Sequence, residues 1–355
     1  MIYRSAGRAY AAYADERLLL PHAVDRAALA LLLAVAAVVL PLVGPDYLFD
    51  AILLPFLALS LAAVGLNILT GYAGQLSLGT AAFMAVGAFA AYNLNLRLPG
   101  LPLLVTFALS GVVAAAFGLV FGLPSLRLKG FYLAVSTLAA QFFVQWALTK
   151  FGWFSNDNSS GVITAPHLVV AGFDLDRPAG RYLLSLGVVT AMTWLAVRLT
   201  RTQTGRNWIA VRDRDIAAAV IGVPVFRTKL TAFAISSFYC GVAGSLWAFT
   251  YLRTVEPAGF DLDRSFQVLF IIIIGGLASI RGCFLGAAFM VVFPLLLSRT
   301  GDALLGGALD SGLQEIIAKM VVGSLIIAFL IAEPRGLVSL WSRLKAKLET
   351  WPFAY

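Results

Sequence analysis

Long stretches without a formal charge constrain this chain more than any other feature. Residues 27–43, 51–68, 76–91, 101–123 and 266–277 hold no Lys, Arg, Asp or Glu. A helix crosses the hydrocarbon layer of a bilayer with about 20 mostly apolar residues. Several of these blocks are that long and the others nearly so. Lipid offers no partner for an open N–H or C=O, and a helix closes its own hydrogen bonds within one segment. Only 12% of the residues are charged, against roughly 25% in soluble domains. Too few polar side chains remain to clothe a water-soluble surface. The expected fold is all-α: a polytopic transmembrane helical bundle of about ten spans, near 27–44, 48–69, 76–94, 101–123, 130–149, 182–199, 230–251, 265–280, 283–298 and 316–332. The third starts among Gly and Ser and reads as a span that is either continuous, broken or re-entrant.

The net charge of +8 does not point to nucleic acid. Lys and Arg fall in the gaps between apolar blocks, as membrane topology demands. With the N-terminus inside, 18 of the 26 lie on the inner side and 7 on the outer, with Lys319 within the last span. Both termini are therefore expected in the cytoplasm. The domains read as an N-terminal tail (1–26), a transmembrane domain (27–332) and a C-terminal tail (333–355), with no cleavable signal peptide at the start. Two connections are long: an external loop, 150–181, and a cytoplasmic loop, 198–229. The last residues carry Trp351, Phe353 and Tyr355 behind basic ones, which suits either an interfacial helix or a disordered tail.

No catalytic site is expected. The two histidines, His22 and His167, stand far apart, and no His, Cys or carboxylate cluster has metal-ligand spacing. Cys240 and Cys283 sit in apolar surroundings and read as packing residues. No phosphate-binding Gly-x-x-x-x-Gly-Lys-Ser/Thr loop is present. No span carries a central titratable residue of the kind that relays protons, and Lys319 has Glu315 one turn away as an anchor. Uphill transport by this chain would then need an engine on another subunit. A carrier coupled to Na⁺ through carbonyls and hydroxyls stays open, as does a purely structural membrane subunit.

The cytoplasmic loop is the most informative stretch. From Asn207 to Ile221 its composition favours one helix, stopped by Gly222 with Pro224 beyond. Trp208, Val211 and Ile216 are expected on one side, and Ala217, Ala218 and Ala219 make a slim surface. Ala217-Ala218-x-x-x-Gly222 resembles the coupling helix of bacterial ABC importers, Glu-Ala-Ala-x-x-x-Gly, with Ile216 in place of the Glu and the later Leu-Pro missing. The wider run Gly205-Arg206, Ala210-Val211-Arg212, Ala217-Ala218, Gly222 and Lys229-Leu-Thr-Ala-Phe-Ala-Ile-Ser236 resembles the LivM-type permeases of branched-chain amino acid importers. So do Gly65-Leu-Asn67-Ile-Leu-Thr70-Gly71-Tyr-Ala-Gly74-Gln75-Leu-Ser77-Leu-Gly79, Leu126-Arg127-Leu-Lys129-Gly130-Phe-Tyr132, Gly241-Val-Ala-Gly244, Gly275-Gly276, Gly282 with Gly286, and Glu333-Pro334-Arg335-Gly336-Leu337. The likeness covers most of residues 48–337.

The resemblance implies a permease of the bacterial plasma (inner) membrane without cofactor or metal. Its implied partners are a second permease subunit, two cytoplasmic ATP-binding subunits, an external solute-binding protein and membrane lipid. Gly205, Arg206, Arg212, Ala217, Ala218 and Gly222 are then the residues expected to couple to the ATPases. Polar groups in lipid turn inward, so Asn67, Thr70, Gly74, Gln75, Ser77 and Gly79 are the first choice for the pathway. Ser136, Thr137, Gln141, Gln145, Ser236 and Ser237 are further polar candidates. Pro55 is expected to kink its helix. Gly118-x-x-x-Gly122 and Gly282-x-x-x-Gly286 each put two glycines on one helix face.

Overall fold

The apolar blocks fold as helices joined by short connections, in a computed structural model that describes residues 23–98, 100–125, 131–157, 162–165, 168–170, 173–305 and 336–350, with scattered positions between 316 and 331. Helix α1 runs through Ala23–Ala34, a π-helical turn Val35–Val39 and Leu40–Val43. Helix α2 spans Asp46–Tyr72 and itself opens and closes with π turns, Phe49–Leu53 and Ile68–Tyr72. Then come α3 (Thr80–Arg97), α4 (Leu103–Ser125), α5 (Phe131–Lys150) and α6 (Pro178–Thr200). Two short helices follow, α7 (Gln203–Asp213) and α8 (Asp215–Val220). The long α9 (Val225–Leu246, extended by the π turn Trp247–Leu252), α10 (Leu262–Gly275), α11 (Ile280–Leu305) and α12 (Leu337–Thr350) complete the described elements.

Two helices form the centre. In α2 and α9, 83% of the most apolar stretch is buried, against none of it in α1. Small residues make this possible, because association in lipid depends on close backbone approach rather than on a hydrophobic drive. A Cβ on Gly87 of α3 would run into the backbone of Gly241 on α9. One on Gly244 would strike the carbonyl of Met84. Gly118 and Gly122 of α4 rest on Ser237 and Phe233 of α9, so that glycine pair serves packing within the chain. Gly282 and Gly286 of α11 do the same against Gly275 and Ile271 of α10.

Six described helices are long and apolar enough to cross a membrane: Arg26–Val43, Asp46–Tyr72, Leu103–Leu123, Pro178–Thr200, Val225–Leu252 and Ile280–Leu297. Four of the ten expected spans are not among them. Helices α3 and α5 have 18 and 20 residues, but Asn93, Asn95, Gln141 and Gln145 dilute their apolar character. Helix α10 has 14 residues, about 21 Å at 1.5 Å per residue. The segment 316–332 lies partly outside the described residues, as do the first tail and Trp351, Phe353 and Tyr355. Pro55 follows the π turn Phe49–Leu53 with one residue between, where the wider turn already interrupts the regular hydrogen-bond ladder.

At the end of the bundle away from α7 and α8, short strands tie two connections together. Strand β1 (Ile163–Thr164) pairs antiparallel with β4 (Thr254–Val255), and β2 (Val169–Val170) pairs with β3 (Phe173–Asp174). Arg253 donates to Asp176 at 2.9 Å. The loops 150–181 and 253–264, read separately in the sequence, thus form one platform. Replacing Gly244 with Leu is expected to destabilise the α3–α9 contact by overpacking, at about 1–3 kcal/mol or more. Loss of the monodisperse peak in size-exclusion chromatography of the detergent-extracted protein would register it.

Candidate functional site

The chain leaves helical geometry between α2 and α3, inside the protein. Residues 73–79 carry no helix. Gly74 has φ +68, which a side chain with a Cβ rarely adopts. Burial then alternates as in a strand: Gln75 and Ser77 are 3% and 2% exposed, and Leu76 between them is 38% exposed. The helix of the third expected span thus begins at Thr80 rather than 76, after an extended lead-in.

An unwound segment leaves backbone amides that need partners. Side chains of other helices supply them. Thr137 of α5 accepts from Leu78 N at 2.9 Å. Ser265 of α10 accepts from Ala81 N at 2.9 Å and donates to Gln141 Oε1 at 3.3 Å, while Gln141 Nε2 donates to the carbonyl of Phe260 at 2.8 Å. Within the segment, Gln75 N donates to Leu69 O at 3.0 Å and Thr70 Oγ1 to Gln75 O at 3.1 Å. Both side-chain polar atoms of Gln75 and the hydroxyl of Thr80 are buried without a partner. Ser77 Oγ accepts from Gly79 N, and Gly79 lies against the carbonyl of Thr137.

Asn67 joins this break to a second one, between α10 and α11, where Gly276 and Ala278 have φ of 116 and 57. Its Nδ2 donates to Ser279 O at 3.0 Å and contacts Cys283 Sγ, and its Oδ1 accepts from Ala278 N at 2.9 Å. Asn67 is fully buried and its polar atoms are satisfied, so here it clamps two breaks rather than lining open space. Gly71 leaves room for this clamp: a Cβ there would overlap Asn67 Oδ1 and the amide of Ala278. Gly336, with φ +75, packs on Gly276 and leads into α12.

The cytoplasmic-loop residues do not form the single helix expected over 207–221. Arg214 takes an extended conformation, φ −154 and ψ 99, and divides it into α7 and α8. Trp208 and Val211 are buried, whereas Ile216 is 76% exposed and faces away from them. The stop at Gly222 stands, with φ +90 and its N–H donating to Ala219 O. Three contacts hold the pair of helices to the bundle, one of them the ion pair of Asp215 with Lys229 of α9 at 3.8 Å. Trp208 Nε1 donates to Thr228 O at 3.1 Å, under α9. Arg212 Nη1 donates to Gly71 O at 2.8 Å, its Nε and Nη2 each meet Asp213 Oδ1 at 2.9 Å, and its side chain covers Gly74. Gly205 fits tightly on the carbonyl of Thr200. Arg206 is exposed and donates to Gln203. Ala218 is buried, while Ala217 and Gly222 are exposed.

Thus Gly71 and Gly74 touch Arg212, a contact between two groups of residues that were singled out separately in the sequence. Ser265 was not foreseen: a lone Ser at the mouth of an apolar run carries no spacing signal. Ser237 only bonds back to Phe233 O on its own helix. Among the described residues no group of His, Cys, Asp and Glu is placed to hold a metal.

A bundle of apolar helices, with a buried polar seam at two helix breaks and a helical loop clamped to that seam, has the architecture of a multi-pass membrane permease. The family of branched-chain amino acid transport system permease components matches residues 48–330, and the chain belongs to that family. It is 30% identical to the high-affinity branched-chain amino acid transport system permease protein LivM of Salmonella typhimurium, over 81% of this chain and 69% of that one. It is equally identical to LivM of Escherichia coli strain K12, over 78% and 66%. The chain spans about two thirds of the length of these relatives. It is also 29% identical to the autoinducer 2 import system permease protein LsrC of Enterobacter sp. strain 638, over 56% of each chain. No solved structure matches.

Replacing Asn67 with Leu would strip the buried amide of Ala278 of its acceptor, a cost of about 1–3 kcal/mol. Amide exchange at Ala278 is expected to quicken by roughly tenfold or more, read by hydrogen–deuterium exchange mass spectrometry.

Proposed function

We propose that this chain is the permease subunit of an ATP-binding-cassette importer, translocating branched-chain or related hydrophobic amino acids handed over by an external binding protein. One observation carries the reading: Arg212, on the loop proposed to meet the ATPases, bonds the carbonyl of Gly71 at the unwound stretch. Movement of α7 and α8 is thereby passed to Gly71–Gly79 without an intervening flexible element. The branched-chain amino acid name of the two relatives with 30% identity supports the ligand class. The fructose import permease protein FruG of Bifidobacterium longum, 23% identical over 78% of this chain, supports small polar solutes as the second reading.

In this reading α3, α5, α10 and the segment 316–332 join the six long apolar helices to make ten spans. The tails 1–26 and 333–355 and the loop 198–229 face the cytoplasm, flanking a permease domain of 27–332. The charge bias of the loops supports that orientation. The platform at 150–181 and 253–264 receives the binding protein, whose preference for one conformation biases the equilibrium between inward and outward states. Two ATP-binding subunits and a second permease complete the complex.

The contact with an ATPase is assigned to the tip of α8. Ile216, Val220 and Ile221 are 76%, 83% and 75% exposed, and residues 216 and 220 share a face at i, i+4 spacing. Exposed apolar side chains on a short helix invite a groove on another protein. Gly205, Arg206, Arg212, Ala217, Ala218 and Gly222 shape and brace that tip. The pathway is assigned to Thr70, Gly74, Gln75, Ser77 and Gly79, with Asn67 as their clamp.

The double variant Ile216→Asp, Val220→Asp is expected to reach the membrane at normal levels yet lose co-purification with the ATP-binding subunits and reduce leucine uptake at least tenfold. Unchanged uptake would remove the assignment of α8. Both native cysteines, Cys240 and Cys283, are buried, so single introduced cysteines can be mapped with little background. Ile221→Cys should label only from the cytoplasmic side and Trp153→Cys only from the outside; the reverse pattern would invert the topology.

A further inference from the structure

One strongly polar cluster takes no part in the seam or its clamps. It lies where the π-helical end of α9 (Trp247–Leu252) meets the start of α10. Trp247 is 2% exposed, and its indole Nε1, a donor only, is buried without an acceptor. The Arg264 guanidinium stacks on that indole, 4.3 Å from the ring centroid. Nη1 of Arg264 donates to Gln267 Oε1, but its Nε is buried and unpartnered.

Two carboxylates favour the Arg264 charge without bonding the guanidinium. Asp261 and Asp263 stand near it, but Asp261 Oδ1 is taken by the backbone amide of Arg264 at 3.0 Å, where it caps α10. Neither carboxylate forms an ion pair with the guanidinium among the described residues. The cluster thus keeps two buried orphan donors, Trp247 Nε1 and Arg264 Nε, beside a guanidinium. Arg264 is half-buried where the platform meets the bundle, and an ionisable group among membrane helices is a candidate ligand contact. A buried donor left open costs about 1–3 kcal/mol. A carboxylate accepts on two oxygens and carries the opposite charge, so it would satisfy both donors.

The position suits a transported solute. Ser265, next in sequence, closes the seam through Ala81 N and Gln141. Tyr251, one turn beyond Trp247, adds its ring 4.5 Å from the indole. π turns gather at functional sites because the widened turn re-aims side chains. The cluster therefore lies beside the Ser265–Gln141–Ala81 contact, at the α9 end that also leads into β4 and the platform.

We infer that Trp247 Nε1 and Arg264 Nε form a carboxylate-capture site for the transported amino acid, set beside the Ser265–Gln141 closure. This rests on the importer reading above and adds where the solute's carboxylate is first held. The neutral solute brings an ammonium too, and capture here concerns the carboxylate alone.

The test uses the purified complex of this chain with its partner subunits, without the binding protein, and isothermal titration with three probes. Leucine carries both charged groups, isovalerate only the carboxylate, and leucinol only the amine. Leucine and isovalerate are expected to bind and leucinol to bind at least tenfold more weakly. Arg264→Gln and the near-isosteric Trp247→Phe should each weaken isovalerate and leucine binding tenfold or more, in complexes that elute as wild type does in size-exclusion chromatography. Equal binding of leucinol and leucine, no carboxylate-dependent binding to the wild-type complex, or undiminished binding to both variants would overturn the inference. So would an Arg264→Gln complex that binds isovalerate normally and loses only affinity for the binding protein, because the cation would then serve docking. Failure of the wild-type complex to take up amino acids in proteoliposomes, with carboxylate binding still dependent on Arg264, would sink the ligand assignment and leave the site standing.

Discussion

Backbone groups at membrane depth must find a partner within the protein, and this requirement organises the structure. A regular helix meets it alone. The chain breaks that regularity twice, at 73–79 and at 276–279, and each break leaves amides and carbonyls without the partners a helix would give them. Side chains from distant segments fill the deficit: Thr137 and Ser265 for the start of α3, Asn67 for the turn before α11. Those bonds in turn fix how α2, α3, α5, α10 and α11 sit together. Glycines at 71, 275, 282 and 286 keep the backbones close enough for such bonds to form.

The same deficit makes the breaks fit for movement. Atoms whose partners lie on other helices exchange them when the helices shift, whereas an intact helix has nothing to exchange. Gln75 and Thr80 keep buried polar atoms unpartnered in this conformation, which lowers the cost of leaving it. Arg212 reaches this region from the loop and bonds the backbone itself, and Trp208 ties the same loop to α9. A displacement of the loop thus acts on both sides of the seam. Asp215 of α8 adds an ion pair with Lys229 of α9.

The sequence made much of this legible, but unevenly. The expected spans 27–44, 48–69, 101–123, 182–199, 230–251 and 283–298 fall on α1, α2, α4, α6, α9 and α11, because hydrophobic length is a local property. Gly222 was readable as a stop, since only glycine is at ease at φ +90. The division at Arg214 was not readable: every residue from Asn207 to Ile221 tolerates a helix, and the turn is set by how α7 lies against Thr228 and Gly71. Ile216 was placed on the face of Trp208 for that reason and lies on another. Helices α3 and α5 carry Asn and Gln that lower their apolar character, and of these Asn93 and Gln141 are buried against neighbouring segments.

By itself the sequence determined that the chain is a membrane bundle, which residues are apolar enough to span, and which family it belongs to, because composition and motif order are carried by neighbours along the chain. Tertiary structure alone decided that Arg212 meets Gly71, that Asn67 meets Ala278, that Ser265 closes on Ala81, and that Arg264 lies over Trp247 with donors to spare. These contacts join residues 17 to 211 positions apart. Their existence depends on helix packing, where a glycine's missing side chain counts for more than any local propensity.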